Sequence, residues 1–349
     1  MTKQIFVYAG PHRSGSNFLN NKVLPFIPGV FTAFTRDPEL NYILLNAMEG
    51  HPLFTDYDAI RAEINERLEK IEEDIVLIGD EEFFGDYGKR NSGGMFRSTP
   101  FHDHVWKMDL LKRVLDDPKI VLTIRRQDKW VESSYMHYIH NYFTLSFDEF
   151  IDPERSVRGA YYERPYEHRS EKISTNYKML DWTVYLQHLF DNFGKDNVLD
   201  IPNEMMARDL PRALTRLYDF MGIKNGYFPT DAKPSNRSYS KLGLKIALVL
   251  NRFVFTEINC FGFIPETPFQ TWVLRARRRK DNKFLWFCNG IIRRIRLYWF
   301  LNEVVGRFNY QRPDPLSPEK RREILEYFRD SNKRYAEMIG VDLSEYDYY

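Results

Sequence analysis

The residues of this sequence whose types and spacing best suit chemistry form a short loop near its start. That loop reads Gly10-Pro11-His12-Arg13-Ser14-Gly15-Ser16-Asn17. It follows an apolar run typical of a buried strand and precedes apolar residues at helical spacing. Unpaired N–H groups at a helix start attract anions, and here Arg13 adds a fixed charge while Ser14 and Ser16 add hydroxyl donors. The pattern predicts an anion-binding loop; the alternative is a turn that merely joins a strand to a helix.

The spacing from Gly10 to Gly15 is also that of the loop that binds nucleoside triphosphates. In that loop a Lys and then a Ser or Thr follow the second glycine, for the phosphates and for magnesium. This sequence has Ser16 and Asn17 at those positions, and its cation, Arg13, precedes the second glycine. The arrangement favours an anion bound without a metal, with a nucleotide-dependent kinase as the rival interpretation.

A second anion signal follows a strongly β-prone run, Lys119 to Ile124. This run delivers Arg126 to the carboxyl end of a predicted strand, where ligands of α/β folds bind. A helix is predicted from Asp128, and Ser134 lies about two turns along it. Arginine can bind a phosphate through two parallel hydrogen bonds, and Ser134 can donate a further one.

Together these two motifs resemble those of the sulfotransferases that use 3′-phosphoadenosine 5′-phosphosulfate (PAPS). The family's first loop reads (Lys/Arg)-Ser-Gly-Thr-(Thr/Ser), and its second motif places a serine eight residues after an arginine, as Ser134 follows Arg126. The resemblance implies that PAPS is the co-substrate and that Arg126 and Ser134 hold its 3′-phosphate. It assigns the 5′-phosphosulfate to the first loop, whose residues are Arg13, Ser14, Gly15, Ser16 and Asn17.

The sequence departs from the family pattern at three positions. Asn17 replaces a hydroxyl residue, Gln127 replaces the usual Asn or Asp, and Arg125 duplicates the cation. Either arginine could therefore bind the phosphate, and Arg126 is favoured because Ser134 keeps register with it. The substitutions leave a second alternative, a module of the same fold that binds a nucleotide or glycan without catalysis.

Sulfonate transfer also requires a cation for the leaving group and a base for the acceptor proton. Arg13 is the expected cation. Asp37 and His104 are equal candidates for the base, since Asp37 falls at the glutamate position of the carbohydrate class and His104 at the histidine position of the cytosolic class. His102 ranks next, and the acidic run Asp80-Glu81-Glu82 at a strand end is a further candidate. The alternatives are a core or surface histidine and a turn carboxylate.

The elements that position these residues alternate between strand and helix. This alternation predicts an α/β, P-loop-like, three-layer fold with a central parallel sheet and helices on both faces. We expect a single domain whose core spans about 1–232 and 313–349, with a helical insertion rich in aromatic and basic residues at about 233–312. A closing helix is predicted from Pro318 to Gly340. Strand-like runs are Gln4 to Gly10, Asp74 to Gly79, Lys119 to Ile124 and Asn197 to Ile201.

Composition narrows the choice of partners. The formal net charge of +1 gives no global basic field, so a nucleic-acid partner is not expected. The two cysteines, Cys260 and Cys288, form no metal-binding cluster, and no metal is expected. No apolar stretch reaches the roughly 20 residues that span a bilayer, so we expect a cytoplasmic protein.

The basic and aromatic segment 272–299 predicts either peripheral contact with an anionic membrane or binding of a glycan acceptor. The alternative is that it forms only a solvated helix pair without such a function. Segments at Asp37 and Arg97 resemble the carbohydrate class, which implies a carbohydrate or glycolipid acceptor.

Overall fold

The chain divides into two compact units. The first comprises Met1–Trp130, Lys178–Ser235 and Arg321–Tyr349, and the second comprises Val131–Tyr177 and Asn236–Lys320. The structure is a computed structural model, and it describes residues 3–85, 101–140, 144–151, 175–230, 239–255, 264–265, 311 and 313–349.

A five-stranded, all-parallel sheet forms the centre of the first unit. Its strand order is β2-β3-β1-β4-β5, which places β1 between β3 and β4. The strands are β1 (Gln4–Tyr8), β2 (Val30–Thr32), β3 (Ile75–Gly79), β4 (Lys119–Leu122) and β5 (Val198–Asp200). The inner strands are near-continuous apolar runs, as strands covered on both faces must be. The predicted α/β fold with a central parallel sheet is confirmed, and β2 is a strand that sequence reasoning missed.

Helices connect and cover these strands. In chain order they are α1 (Ser16–Lys22), α2 (Ala33–Arg36), α3 (Pro38–Glu49), α4 (Tyr57–Glu69), α5 (His104–Val114), α6 (Gln127–His140), α7 (Phe147–Phe150), α8 (Trp182–Phe193), α9 (Asn203–Arg208), α10 (Leu210–Met221), α11 (Lys241–Leu250), α12 (Pro318–Tyr327) and α13 (Arg329–Ile339). Capping residues at both ends of helix α10 determine where it begins and ends. The Asp209 side chain accepts a hydrogen bond from the backbone N–H of Arg212, and Gly222 ends the helix at a φ of 71°.

The closing helix differs from its prediction. It is divided at Phe328, which lies between α12 and α13 with a ψ of 3° and a buried ring. The backbone N–H of Phe328 still bonds to the Ile324 carbonyl, and that of Asn332 bonds to the Phe328 carbonyl. The division is therefore a local kink that buries an aromatic ring rather than a loop, and periodicity alone does not reveal it.

The second unit contains the later part of α6 together with α7, α11 and a small strand pair. Ser146 and Glu149 form a reciprocal capping box at the start of α7. The Ser240 hydroxyl accepts from the backbone N–H of Gly243 at the start of α11, and Asn251 donates to the Ile139 carbonyl. Strands β6 (Val254–Phe255) and β7 (Ile264–Pro265) pair in parallel. Among all the helices described, none combines the length and apolarity that a membrane crossing requires.

The carboxyl ends of the strands meet at one edge of the sheet, and backbone hydrogen bonds hold the following loops together there. Ala9 donates to the Val121 carbonyl at 2.9 Å, and Asn203 donates to the Ile124 carbonyl at 2.7 Å. The segments after β1, β4 and β5 therefore converge at this edge, which is where an α/β fold binds its ligands.

At the same edge, β5 ends in a carboxyl group that is removed from water. Asp200 is buried and accepts a hydrogen bond from the Tyr335 hydroxyl. Burial raises the pKa of Asp200 to about 7, against the opposing effects of the Arg216 charge and of nearby backbone N–H groups. A carboxyl group with a raised pKa is protonated in the folded state while it is ionised in the unfolded chain. Its contribution to stability is therefore present below pH ~4 and is lost as the pH rises toward 7.

We expect Asp200→Asn to be more stable relative to the wild type at pH 8 than at pH 5, because asparagine cannot ionise. The difference in unfolding free energy between variant and wild type should grow across this range by up to about 3 kcal/mol. Denaturant unfolding at several pH values measures it. Asp196→Asn is the control, since Asp196 is exposed and lies four residues before β5 ends at Asp200. A constant difference across the pH range would contradict the assignment.

Candidate functional site

The loop after β1 adopts a conformation that demands glycine at one position. Gly15 has a φ of 105°, which lies in the left-handed region. A Cβ at Gly15 would lie 2.3 Å from Nδ2 of Asn203. The Asn203 side chain uses this space to donate a hydrogen bond to the Ser14 carbonyl at 2.9 Å. Gly15 is thus required both by backbone conformation and by the close approach of a neighbouring turn.

Three successive carbonyl groups of this loop are held by side-chain donors from the segments that follow β4 and β5. Trp130 Nε1 donates to the His12 carbonyl at 2.7 Å, and Arg125 Nη1 donates to the Arg13 carbonyl at 3.0 Å. Asn203 holds the third, that of Ser14. In a trans peptide the C=O and the following N–H point in opposite directions. The held carbonyls therefore turn the N–H groups of Arg13 and Gly15 away from these donors, as an anion cradle requires.

The hydroxyl groups of the loop have different partners. Ser14 is buried, and its hydroxyl donates to the Pro11 carbonyl within the loop. The Ser16 hydroxyl donates to Oε2 of Glu81 at 2.7 Å. Glu81 follows β3, the strand beside β1, so its carboxylate reaches the loop across one strand spacing. From the sequence, the acidic run Asp80-Glu81-Glu82 ranked behind the other candidates for the general base. In the structure, the Glu81 side chain of this run accepts a hydrogen bond from the loop.

Glu81 is ionised in this setting. Burial alone would raise its pKa, but hydrogen bonds from His12 and Ser16 and the charge of Arg13 outweigh burial and lower the pKa to about 2. His12 Nδ1 lies 3.2 Å from Oε1 of Glu81, and its Nε2 lies 3.5 Å from Oε2 of Glu82. The Glu81 side chain is about one-third exposed, at 34%. A charged, accessible carboxylate therefore borders the anion loop.

His104 begins α5 and lies in an aromatic cluster. Its side chain is buried, Nδ1 lies 2.7 Å from the Phe84 carbonyl, and its ring contacts those of Tyr185 and His188. A carbonyl can only accept, so Nδ1 carries the hydrogen. Burial lowers the pKa of His104 to about 4. These contacts belong to the packing between α5 and α8. His102 lies half-buried in the turn just before α5.

Asp37 is held at a different place in the unit. Both of its carboxylate oxygens lie 3.1 Å from Nη1 of Arg67 on α4. The adjacent Arg36 pairs with Glu73, which precedes the start of β3. These partners lie near the amino end of β3, whereas Glu81 follows its carboxyl end. The structure does not bring Asp37 together with the loop.

The two arginines after β4 have separate surroundings. Arg126 is buried, donating to both carboxylate oxygens of Asp128 at 2.6 and 3.0 Å and to the carbonyls of Tyr346 and Asp347. Asp128 is fully buried and also pairs with Arg321. Arg125, by contrast, donates to the loop itself. The structure thus joins Arg125 to the predicted anion loop and Arg126 to the segment near residue 346.

The remaining predicted residues are placed as follows. Asn17 is exposed on α1, and its backbone carbonyl accepts from the Asn21 side chain. Ser134 lies on α6 within the second unit, where it is buried, and its Oγ has no hydrogen-bond partner among the described residues. Gln127 exchanges hydrogen bonds with Asn332 at 2.8 and 3.2 Å, which ties α6 to α13 and gives this departure from the family pattern a structural role. Arg97 and residues 272–299 lie outside the described residues.

Within the ranges that the structure describes, no three His, Cys, Asp or Glu side chains lie close enough together to hold a metal ion. The loop offers Arg13, backbone N–H groups and a glycine cradle instead, which suit an anion. These residues suit the charge of a phosphosulfate group, and the assignment of that group to this loop stays a prediction.

Comparison with known proteins adds the following. No protein-family model and no curated protein sequence matches this chain. Among solved structures, a sulfotransferase from Alicyclobacillus acidocaldarius is similar at a TM-score of 0.44 and 18% identity, covering 72% of this chain and 93% of that one. Mouse sulfotransferase SULT7A1 complexed with PAP gives 0.36 and 17%, covering 96% and 88%. The sulfotransferase domain of the Synechococcus PCC 7002 olefin synthase gives 0.30 and 15%, covering 64% and 76%.

Proposed function

We propose that this protein is a sulfotransferase that moves a sulfonate group from PAPS to a hydroxyl or amine of an acceptor. The observation that carries the proposal is the Arg13-Ser14-Gly15-Ser16 loop, whose carbonyls are held inward while an ionised Glu81 lies beside Ser16. An anion site and a carboxylate are the two parts that a metal-free, in-line sulfonate transfer requires. The resemblance of the Asp37 and Arg97 segments supports a carbohydrate or glycolipid acceptor.

The proposed donor site uses the loop and Arg125. The N–H groups of Arg13 and Gly15 bind the 5′-phosphosulfate, and the Arg13 guanidinium stabilises the charge that develops on the leaving bisphosphate. We assign the 3′-phosphate to Arg125 in preference to Arg126, since Arg126 already holds Asp128 and two backbone carbonyls. Ser134 stays a predicted ligand of the same phosphate.

Glu81 is the proposed general base. It accepts a hydrogen bond from the Ser16 hydroxyl of the loop, it is accessible, and it is ionised before the donor binds. A carboxylate with a pKa near 2 is a weak base. The phosphosulfate, however, brings negative charge to Arg13 and to the loop, and like charge raises a carboxyl pKa. Donor binding therefore moves Glu81 toward the basicity that proton transfer requires, and it accepts the acceptor's proton as the new S–O bond forms.

One observation favours a second candidate, a kinase of the P-loop type. Ser16 lies directly after the second glycine, and its hydroxyl bonds to a carboxylate at the end of the neighbouring strand. In P-loop nucleotide hydrolases a carboxylate of a neighbouring strand helps to hold magnesium, together with a hydroxyl one position further along, where this sequence has Asn17. The absence of a lysine after Gly15 in the sequence argues against this alternative.

Thermal unfolding with added nucleotides tests the proposed function directly. We expect 3′,5′-adenosine bisphosphate, in EDTA, to stabilise the protein by about 2.7 kcal/mol at 100 times its dissociation constant. The unfolding midpoint should rise by a few degrees. Adenosine 5′-monophosphate, which lacks the 3′-phosphate, is the control. Stabilisation by magnesium-ATP without any by the bisphosphate would overturn the proposal in favour of the kinase.

The cellular setting follows from the sequence. We propose a cytoplasmic enzyme without a nucleic-acid partner, which reaches a glycolipid acceptor through peripheral membrane contact of residues 272–299. The basic and aromatic composition of that segment supports this setting.

A further inference from the structure

The side chain of His12 has no part in the function proposed above, although it lies inside the anion loop. It is buried at 3% exposure, and both ring nitrogens face glutamates of the turn after β3. The backbone of His12 is separately fixed, because its carbonyl accepts from Trp130. A histidine in this position is not needed to bind an anion, since the loop already has Arg13 and its N–H groups. Its ring therefore serves another purpose.

We propose that His12 is a positioning residue for Glu81, which it orients and keeps ionised through a hydrogen bond from Nδ1 to Oε1. This inference rests on the proposed role of Glu81 as the base. A carboxylate can only accept, so the 3.2 Å contact requires the hydrogen on Nδ1. The Ser16 hydroxyl donates to the other oxygen, Oε2, at 2.7 Å. With one donor on each oxygen, rotation of the carboxylate group is restrained.

Glu82 completes the arrangement at the other end of the ring. Its Oε2 lies 3.5 Å from His12 Nε2, and its side chain is one-quarter exposed, at 24%. Lys107 of α5 donates to the Glu82 backbone carbonyl at 2.7 Å, which anchors the turn. The imidazole thus lies between two carboxylates that come from one turn, with its Nδ1 edge toward Glu81 and its Nε2 edge toward Glu82.

Several neighbouring groups affect the pKa of Glu81, and His12 is one of those with a large effect. Arg13 of the loop favours the ionised carboxylate, whereas burial opposes it. Glu82 on the same turn adds like charge, and the Tyr8 hydroxyl lies on the adjacent strand β1. Since His12 contributes both a hydrogen bond and a favourable charge interaction, its loss should raise the pKa of Glu81 more than the loss of any distant charge.

Two substitutions separate orientation from charge. His12→Asn keeps an N–H near the Nδ1 position but reaches no further, whereas His12→Ala removes the donor altogether. We expect His12→Ala to lower kcat by about tenfold or more and to leave the KM for PAPS nearly unchanged. The acid decline in kcat/KM should lie at a higher pH in His12→Ala than in the wild type, because the pKa of Glu81 rises when the His12 hydrogen bond is lost. His12→Asn should recover most of kcat. The exposed His51→Asn is the matched control.

An NMR titration tests the same inference without catalysis. The Glu81 carboxyl carbon, identified by its loss in Glu81→Gln, should show no titration in the folded wild type above about pH 4. In His12→Ala, the same carbon should titrate at a higher pH than in the wild type. If the alanine variant does not fold, His12→Asn should show a smaller shift in the same direction.

The two sets of results separate the two proposals. If the wild type neither binds the bisphosphate nor uses PAPS, the sulfotransferase assignment fails, and a raised Glu81 titration in the His12 variants still supports the pairing. If PAPS is used but the His12 variants keep the wild-type kcat, pH profile and Glu81 titration, the positioning role is overturned.

Discussion

Glu81→Gln is expected to lower sulfonate transfer by ~10²- to 10⁴-fold, the usual contribution of a positioned general base. Glutamine has nearly the same shape, so the hydrogen bond from Ser16 can persist while the ability to take a proton is lost. Binding of 3′,5′-adenosine bisphosphate should be unchanged or tighter, because a negative charge beside the loop disappears. Turnover with an acceptor and nucleotide affinity, measured on the same preparation, provide the test.

Matched substitutions compare Glu81 with the other candidates for the base. Asp37→Asn and His104→Gln should leave turnover within a few-fold of the wild type, since Asp37 is held by Arg67 and His104 faces an aromatic cluster. A large loss in either variant together with normal turnover in Glu81→Gln would transfer the role to that residue. Thermal unfolding of each variant shows whether a loss of activity is only a loss of folded protein.

Arg125→Ala should mainly weaken nucleotide binding, whereas Arg126→Ala should mainly lower the stability of the fold. Arg125 contacts the loop, so its removal should weaken bisphosphate binding by about 1.5–3 kcal/mol, the scale of a charged hydrogen bond, with a small effect on stability. Arg126 holds the fully buried Asp128, so its removal should cost about 3 kcal/mol or more of folding free energy.

The measurement for this pair is denaturant unfolding combined with nucleotide titration. Arg125→Lys serves as the control, because it keeps the charge and loses the forked geometry. The opposite result would be an Arg126→Ala variant that folds normally and binds the bisphosphate poorly, with normal binding in Arg125→Ala. The assignment to Arg125 would then be wrong, and Arg126 would be the phosphate ligand, as its spacing from Ser134 indicated.

Local patterns were enough to predict the core of the fold. Apolar runs ending at Gly10 and Gly79 identified β1 and β3, and the Gly-Ser spacing identified the loop between β1 and α1. Strand β2, Val30–Thr32, was missed because three residues show no periodicity. The kink at Phe328 was missed because its cause, the burial of one ring, depends on tertiary packing.

The site was predicted only in part, because spacing along the chain does not give adjacency across a sheet. Glu81 lies 65 residues after Ser16, and their contact depends on β3 pairing directly with β1. An available signal was that both strands end in polar residues, and the carboxyl ends of neighbouring parallel strands meet at one edge. Likewise, the sequence offers Arg125 and Arg126 as equals. Their difference comes from Asp128 and from a backbone segment more than 200 residues away.

That segment has a consequence for the order in which the molecule assembles. Arg126 binds the carbonyl of Asp347, 221 residues later, and Tyr348 bonds to Glu204 across 144 residues. Closing such long loops is entropically slow and comes late in folding. During synthesis, β1, β3, β4 and β5 all leave the ribosome before residues 346–348. A nascent chain can thus form its sheet and its anion loop while the Arg126 side chain still lacks its carbonyl partners at Tyr346 and Asp347. The final fastening of this edge of the sheet should therefore follow the synthesis of residues 346–348, well after the strands have paired.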